Sequence, residues 1–365
     1  MTRVAILNSH QSKTPVGHDR WVQSTLVAVE YAVQQGWGIV TSIGLNTWEL
    51  VTWAAARRRG PIDMVIPDCD EEEKTQRTVA GDFGLHLDLV RWHVLNRQPN
   101  QRAPKAWWTG RDDFICELAD VLLPVSLRPG GRIEALISQS ASRKTIDDRF
   151  RVPYDPQPHH ERLPIDPDRI NPALHAWGDG FLIHWTRACH GPWPGECAAD
   201  FYEDLVRSGE SYCRSALPTL QRILGERTLR ASGWRIGDKQ PVVAFTELSP
   251  VESLPLMSWR SRWSRWSFEP YGIATHRDWA MAHGVRPVRY VTDEEWRALR
   301  SDEKPFCHRR GHRADIWPAE REWRHSSDFC FGDTPHDAVR LIVRRESEAV
   351  ILRGSADHPV YAFAC

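Results

Sequence analysis

The order of apolar runs in the first 67 residues restricts this chain to one class of architecture. "RVAILNS" (Arg3 to Ser9) is a short buried strand that opens into a polar loop. "RWVQSTLVAVEYAVQQG" has helical periodicity and stops at Gly36. "WGIVTSIG" is a second strand, and "NTWELVTWAAARRRG" is a second helix closed by basic residues and Gly60. "IDMVIPD" is a third strand. Strands alternating with helices demand a parallel sheet with helices covering it.

The pattern resumes after "DCDEEEKTQRTVAGDFG", which reads as a helix start or an exposed insertion. A helix (Arg111 to Ala119), a strand (Val121 to Ser126), a Gly-rich turn and a helix from Arg132 follow, with "FRVPY" as a last strand. Residues 1–154 are therefore predicted to form an α/β domain, Rossmann-like with a mostly parallel sheet. Residues 155–180 are rich in Pro, Asp and His without a period and read as a linker. Residues 181–365 mix strands ("FLIHWTR", "PVVAFTEL", "VRPVRYVT", "AVRLIVR", "PVYAFA", with "EREWRH" at or near a strand start) with helices ("ADFYEDLVRSG", "SALPTLQRILGERTLRAS") and a strand running into a helix ("YGIATHRDWAMAHG"), which predicts an α+β domain.

Composition removes several classes of function. With 365 residues, 41% hydrophobic and 26% charged, the chain is globular, and a formal net charge of −1 gives no global field toward nucleic acid or anionic lipid. No apolar run approaches the roughly 20 residues that span a bilayer, and "MTRVAILNSH" turns polar too soon for a signal peptide. The expectation is a cytoplasmic protein, with no membrane partner, whose 8 cysteines are mostly reduced. There is no C-x-x-C pair; Cys307, His308 and His312, with Cys189, His190 and Cys197 upstream, read as scattered thiols and surface histidines, and no metal is predicted. The 18 tryptophans often adjoin arginine, as in "SWRSRWSRWSF". That run is an amphipathic packing helix on one reading and a surface for single-stranded nucleic acid on another.

Two places carry candidate chemistry. In "LRPGGRIEAL", Gly130 and Gly131 follow a strand and open a helix, so backbone amides can approach an anion, with Arg128 and Arg132 in support. "SIGLNTWE", beginning at Ser42, and "LNSHQS" are further loops of the same kind. Such turns also occur for geometry alone. The blocks "VAILNS", "GWGIVTSIG", "WAAARRRGPIDMVIP" and "RDDFICELADVLLPVSLRPGGRIEALI" resemble, in order, the SLOG superfamily that contains the LOG phosphoribohydrolases and DprA. That resemblance implies nucleotide binding. "PGGRIEA" keeps two glycines and Glu134 but lacks the Gly-Thr of the LOG signature, which argues against phosphoribohydrolase activity more than against nucleotide binding.

In "FLIHWTRA", His184 and Thr186 share one strand face. They are hydrogen-bonded at a strand end, or they grip a ligand. Cleaving a nucleotide's C1′–N bond requires a carboxylate near the anomeric carbon and polar groups on the ribose. Glu320 and Glu322 in "AEREWRH" supply carboxylates on one side of a strand-like segment, or are surface partners of nearby arginines. The blocks "IHWTRA", "TLQRILGERTLRAS", "PVVAFTEL", "YGIATHRDW", "PVRYVT" and "EREWRH" together resemble the ADP-ribosyltransferase-like fold of DarT and the AbiGi-type abortive-infection proteins. The resemblance implies that NAD is the substrate, that His184 with Thr186 meets its nicotinamide-side ribose, that Tyr271 stacks, and that Glu322, or in its place Glu320, is catalytic. Arg187 and Arg230 are candidate phosphate or ribose contacts that no family motif marks. The resemblance implies a setting in phage defence or DNA modification, with DNA as a further partner. A non-catalytic nucleotide sensor and an enzyme acting on a base within DNA remain the alternatives.

Overall fold

The computed structural model describes residues 1–68, 71–95, 104–155, 165–166, 169–175, 177, 180–233, 240–261, 265–310 and 317–364. The first eleven elements are β1 (Arg3–Leu7), α1 (Arg20–Gln34), β2 (Gly38–Ser42), α2 (Asn46–Arg57), β3 (Ile62–Pro67), α3 (Glu72–Phe83), β4 (Val90–Leu95), α4 (Pro104–Leu118), β5 (Val121–Pro124), α5 (Arg132–Ser140) and β6 (Thr145–Ile146). All their strand pairings are parallel, in the order β4-β3-β2-β1-β5-β6. Strands β1 and β2 are apolar on both faces because helices cover both, and Ile6 and Val4 bury on one side while Ala5 and Leu7 bury on the other. This is the α/β, Rossmann-like sheet that the alternation predicts.

Two details differ from the sequence reading. Strand β4 went unread: at the sheet edge it is only half buried, so "VRWHVL" carries neither a clean alternation nor an apolar run. "FRVPY" is no strand; a short 3-10 turn precedes a single bridge from Val152 to Ser126.

The remaining elements are α6 (Pro172–His175), β7 (Phe181–Trp185), α7 (Ala198–Arg207), α8 (Ala216–Glu226), β8 (Thr228–Leu229), β9 (Val243–Thr246), β10 (Trp259–Arg260), β11 (Arg265–Trp266), β12 (Gly272–His276), α9 (Arg277–Ala282), β13 (Arg286–Pro287), β14 (Arg289–Val291), α10 (Asp293–Ala298), β15 (Cys307–Arg309), β16 (Glu322–His325), β17 (Phe329–Cys330), β18 (Val339–Arg345), α11 (Glu346–Arg353) and β19 (Val360–Ala364). They build a seven-stranded mixed sheet, β13-β16-β9-β7-β12-β18-β19, with helices beside it. This is the α+β class predicted for the second half. The Arg–Trp run is not a helix: Trp259 pairs with Trp266 and Arg260 with Arg265 in an antiparallel ladder, and residues 262–264 lie outside the described residues.

The chain divides into two compact units whose boundary is not the one read from composition. One comprises Met1–Pro158 with His190–Cys213, and the other His159–Cys189 with Arg214–Cys365. Much of the predicted linker lies outside the described residues, but Ile170, Leu174 and Trp177 are buried in the second unit's core against Phe181 and Phe363. Helix α7 belongs to the first unit, so the second half is not one continuous domain from residue 181. Its apolar stripe (Ala198, Phe201, Tyr202, Leu205) buries with Trp53 and Phe83. The α7 stripe shows that a face must be buried, but nothing local says in which core.

Truncating Leu205, fully buried in that core, to alanine should cost about 2–5 kcal/mol. Amide exchange should then quicken in β1–β3 and stay unchanged in β12 and β18. The reverse pattern would assign α7 to the second unit.

Candidate functional site

The central sheet of the second unit is nearly divided. Strand β12 pairs with β7 through five residue pairs, and β16 pairs with β9 through four, but β7 and β9 share only Ile183 opposite Thr246. The imidazole of His184 enters this seam: its Nδ1–H donates to the carbonyl of Ala244 at 2.9 Å, a partner that a regular ladder would reserve for a backbone amide. Nε2 is then the unprotonated nitrogen and an acceptor. Burial, with an opposing contribution from the Ala244 bond and a further lowering by the charge of Arg187, pulls His184 down to about 4, so the ring is neutral at physiological pH. Ala244, although in a central strand, is exposed, on the face that it shares with Thr246 by the alternation of β9.

Register decides what shares that face. Cross-strand partners in a ladder point to the same face, so Ile183, Thr246 and Glu322 lie on one face. His184 lies on the other, beside Phe245, whose ring centroid is 6.0 Å away. His184 and Glu322 therefore do not converge as the family resemblance implies. Glu322 is moreover held by both oxygens: Arg324 donates from Nε at 2.8 Å and from Nη2 at 2.9 Å. Arg324 is itself buried and donates from Nη1 to the carbonyls of Pro305 and Cys307. That is a structural ion pair.

Glu320 differs. It does not share a strand with Glu322, because the chain makes a 3-10 turn through Trp317–Glu320 and Arg321 is left-handed, with φ 43°. Thr246 anchors it from the seam by donating to its carbonyl at 2.5 Å. Burial first, and then the negative charge of Glu322, push the Glu320 carboxyl up to about 7, against the lowering effect of Arg187, Arg260 and Arg265. Arg187 donates to the Ser267 carbonyl at 3.3 Å, and Arg260 donates to the Ser267 hydroxyl at 2.5 Å. A single guanidinium, Arg187, thus acts electrostatically on both His184 and Glu320. Arg260 and Arg265 come together only as cross-strand partners of the hairpin, which spacing in the sequence does not mark.

Of the other predicted contacts, Thr186 is buried beside His184 and its hydroxyl has no partner. Tyr271 is no free stacking surface: its ring packs against the core and its hydroxyl donates to Glu348 at 3.0 Å. Arg230 is outside the site, engaged by Glu226 and Asp328.

In the first unit the Gly-Gly turn has the geometry of a cradle with its anion already supplied. Gly130 is left-handed (φ 67°), and a Cβ on Gly131 would lie 2.8 Å from the Arg128 carbonyl oxygen. The Gly130 amide donates to Glu134 Oε2 at 2.8 Å, so a side-chain carboxylate occupies the start of α5. The Arg128 side chain is exposed, its amide donating to Ser9 Oγ. Ser42 is spent on structure, buried and donating to the Val65 carbonyl at 2.7 Å.

Among the described residues no three His, Cys, Asp or Glu side chains gather as metal ligands, and no helix is long and apolar enough to cross a membrane. His312 lies outside the described residues.

No protein-family model and no curated protein matches the chain. Among solved structures, the molybdenum cofactor carrier protein of Chlamydomonas reinhardtii is similar at 14% identity and TM-score 0.26, over 40% of this chain and 74% of that one. A second structure of that carrier gives 14% identity and TM-score 0.25, over 43% and 78%. DNA processing protein A from Helicobacter pylori, described for its single-stranded DNA binding mode, gives 12% identity and TM-score 0.28, over 40% and 63%.

Two outcomes test this geometry. Glu322→Gln should destabilise the second unit by about 3–5 kcal/mol, because it strands the buried Arg324 charge; urea unfolding measures it. His184 is depressed in the fold, so the unfolded state binds the extra proton first. Stability should fall as pH drops from about 6.5 toward 4, by up to about 3 kcal/mol, and an NMR titration should find the ring neutral at pH 6.

Proposed function

We propose that the second unit processes a nucleotide of the NAD type in the groove along the β7–β9 seam, as an ADP-ribosyltransferase-like enzyme. The observation that carries this reading is the Glu320 carboxyl, held near neutrality beside Glu322 and within the charge of Arg187, Arg260 and Arg265, where β7 and β9 share a single residue pair. Arg187 suits a phosphate. The working carboxylate in this reading is Glu320, since Glu322 is committed to Arg324.

The chemistry follows from charge. As the bond from C1′ to the nicotinamide nitrogen breaks, its electron pair leaves with the nitrogen and the ribose becomes oxocarbenium-like. The Glu320 carboxylate stabilises that cation. An acceptor oxygen or nitrogen then bonds to C1′, and its proton passes to Glu320. A carboxyl titrating near 7 is matched to that exchange.

The first unit, in this proposal, is an SLOG-like nucleotide-binding domain that senses rather than cleaves. The Glu134 carboxylate on the Gly130 amide supports that part, because an incoming phosphate must displace it. Phage defence or DNA modification is the biological setting that the family resemblance favours.

Glu320→Gln should lower nicotinamide release from NAD by about 100-fold or more while thermal stability is kept, and wild-type kcat/KM should rise with pH and level off above about 7. Full activity in Glu320→Gln, with loss confined to a folded Glu322→Gln, would return the catalytic role to Glu322.

A further inference from the structure

The chain leaves the second unit at Cys189, directly beyond His184, Thr186 and Arg187, and contributes His190–Cys213 to the first unit before returning at Arg214. A tether without function would need only surface contacts, yet this excursion is built into the first unit. The α7 rings Phe201 and Tyr202 are in its core. The amide of Ala198, at the start of α7, donates to Asp82 Oδ1 at 2.8 Å. Beyond α7, Ser208 Oγ accepts from the Gly17 amide at 3.1 Å, and the Gly209 carbonyl accepts from the His18 amide at 3.0 Å.

These attachments reach the loop after β1 and, through Glu49, the first turn of α2, both at the carboxyl ends of strands. Gly17 and His18 belong to the loop after β1. Tyr202 Oη donates to Glu49 Oε2 at 2.8 Å, and Glu49 Oε1 accepts from the Gly44 amide at 2.8 Å, in the loop after β2. Gly44 is left-handed, with φ 87°. Open α/β sheets bind ligands at this edge. A ligand that engages the Gly44 amide competes with Glu49, and so with the grip on Tyr202.

At the other end, the two crossing points are tied together inside the second unit. The Cys189 amide donates to the Arg214 carbonyl at 2.9 Å, the Ala188 amide to Glu269 Oε1 at 2.8 Å, and the Thr186 amide to the Tyr271 carbonyl at 2.7 Å. These bonds set where Arg187 begins.

We propose that the 190–213 excursion is a coupling element: the state of the first unit's β1 and β2 loops is transmitted through α7 and the covalent crossings to the order of Thr186–Cys189, and so to the placement of Arg187. Its regulatory meaning rests on the seam site proposed above. The coupling itself does not. Linkage makes it reciprocal, so an anion at Gly44 and a nucleotide at the seam change one another's affinity by the same factor.

The test is amide exchange on the full chain. Tyr202→Phe keeps the packed ring and removes only the hydroxyl that holds Glu49. Exchange at Thr186, Ala188 and Cys189 should rise about tenfold, while β12 and β18 amides stay unchanged. In the wild type, AMP should alter exchange at Gly44 and at Thr186–Cys189 together. Unchanged exchange at 186–189 in Tyr202→Phe overturns the proposal, as does an AMP effect confined to the first unit. The variant experiment uses no ligand and no turnover, so its failure is separate from failure of the NAD reading. A dead enzyme with intact coupling would sink only the latter.

Discussion

One missing stretch of ladder organises the second unit. Strands β7 and β9 are neighbours in the middle of a seven-stranded sheet, yet they share a single residue pair. Backbone groups released by that divergence need partners, since an unpaired buried carbonyl or amide is costly. The His184 ring answers for the Ala244 carbonyl, while the Thr246 hydroxyl ties the turn before β16 to β9 through the Glu320 carbonyl. The side chains that mend the seam are thereby the ones presented at it.

The electrostatics follow from the same break. A sheet that stayed paired would leave no reason to seat an imidazole between strands, where burial keeps it neutral. Glu320 is raised because it is buried beside a second carboxylate, and the hairpin arginines and Arg187 oppose that rise without cancelling it. The result is a carboxyl raised to about 7 within the field of several cations, unlike an ordinary surface ion pair.

How far this was legible in the sequence depends on the range of the interaction. The α/β alternation of the first unit is a local signal and read cleanly from β1 to β3, whereas β4 has the mixed exposure of an edge and was passed over. The strand carrying His184 was legible because "FLIHW" is apolar and short. The roles of Glu320 and Glu322 were not. Spacing of two suggests a shared strand face, and that inference fails because Arg321 takes a left-handed conformation and ends the strand between them. Nor could spacing reveal that Arg324 would fold back onto Glu322. The destination of α7 depends on a packing partner more than a hundred residues away, Phe83, and no local pattern encodes that choice.

The account stands on the seam being a nucleotide groove, and NMR with added NAD addresses it most directly. The predicted result is a saturable shift of the Ala244 methyl, with the Thr246 and Glu320 amides moving in step. Shifts confined to the first unit, with those three unmoved at saturation, would contradict it.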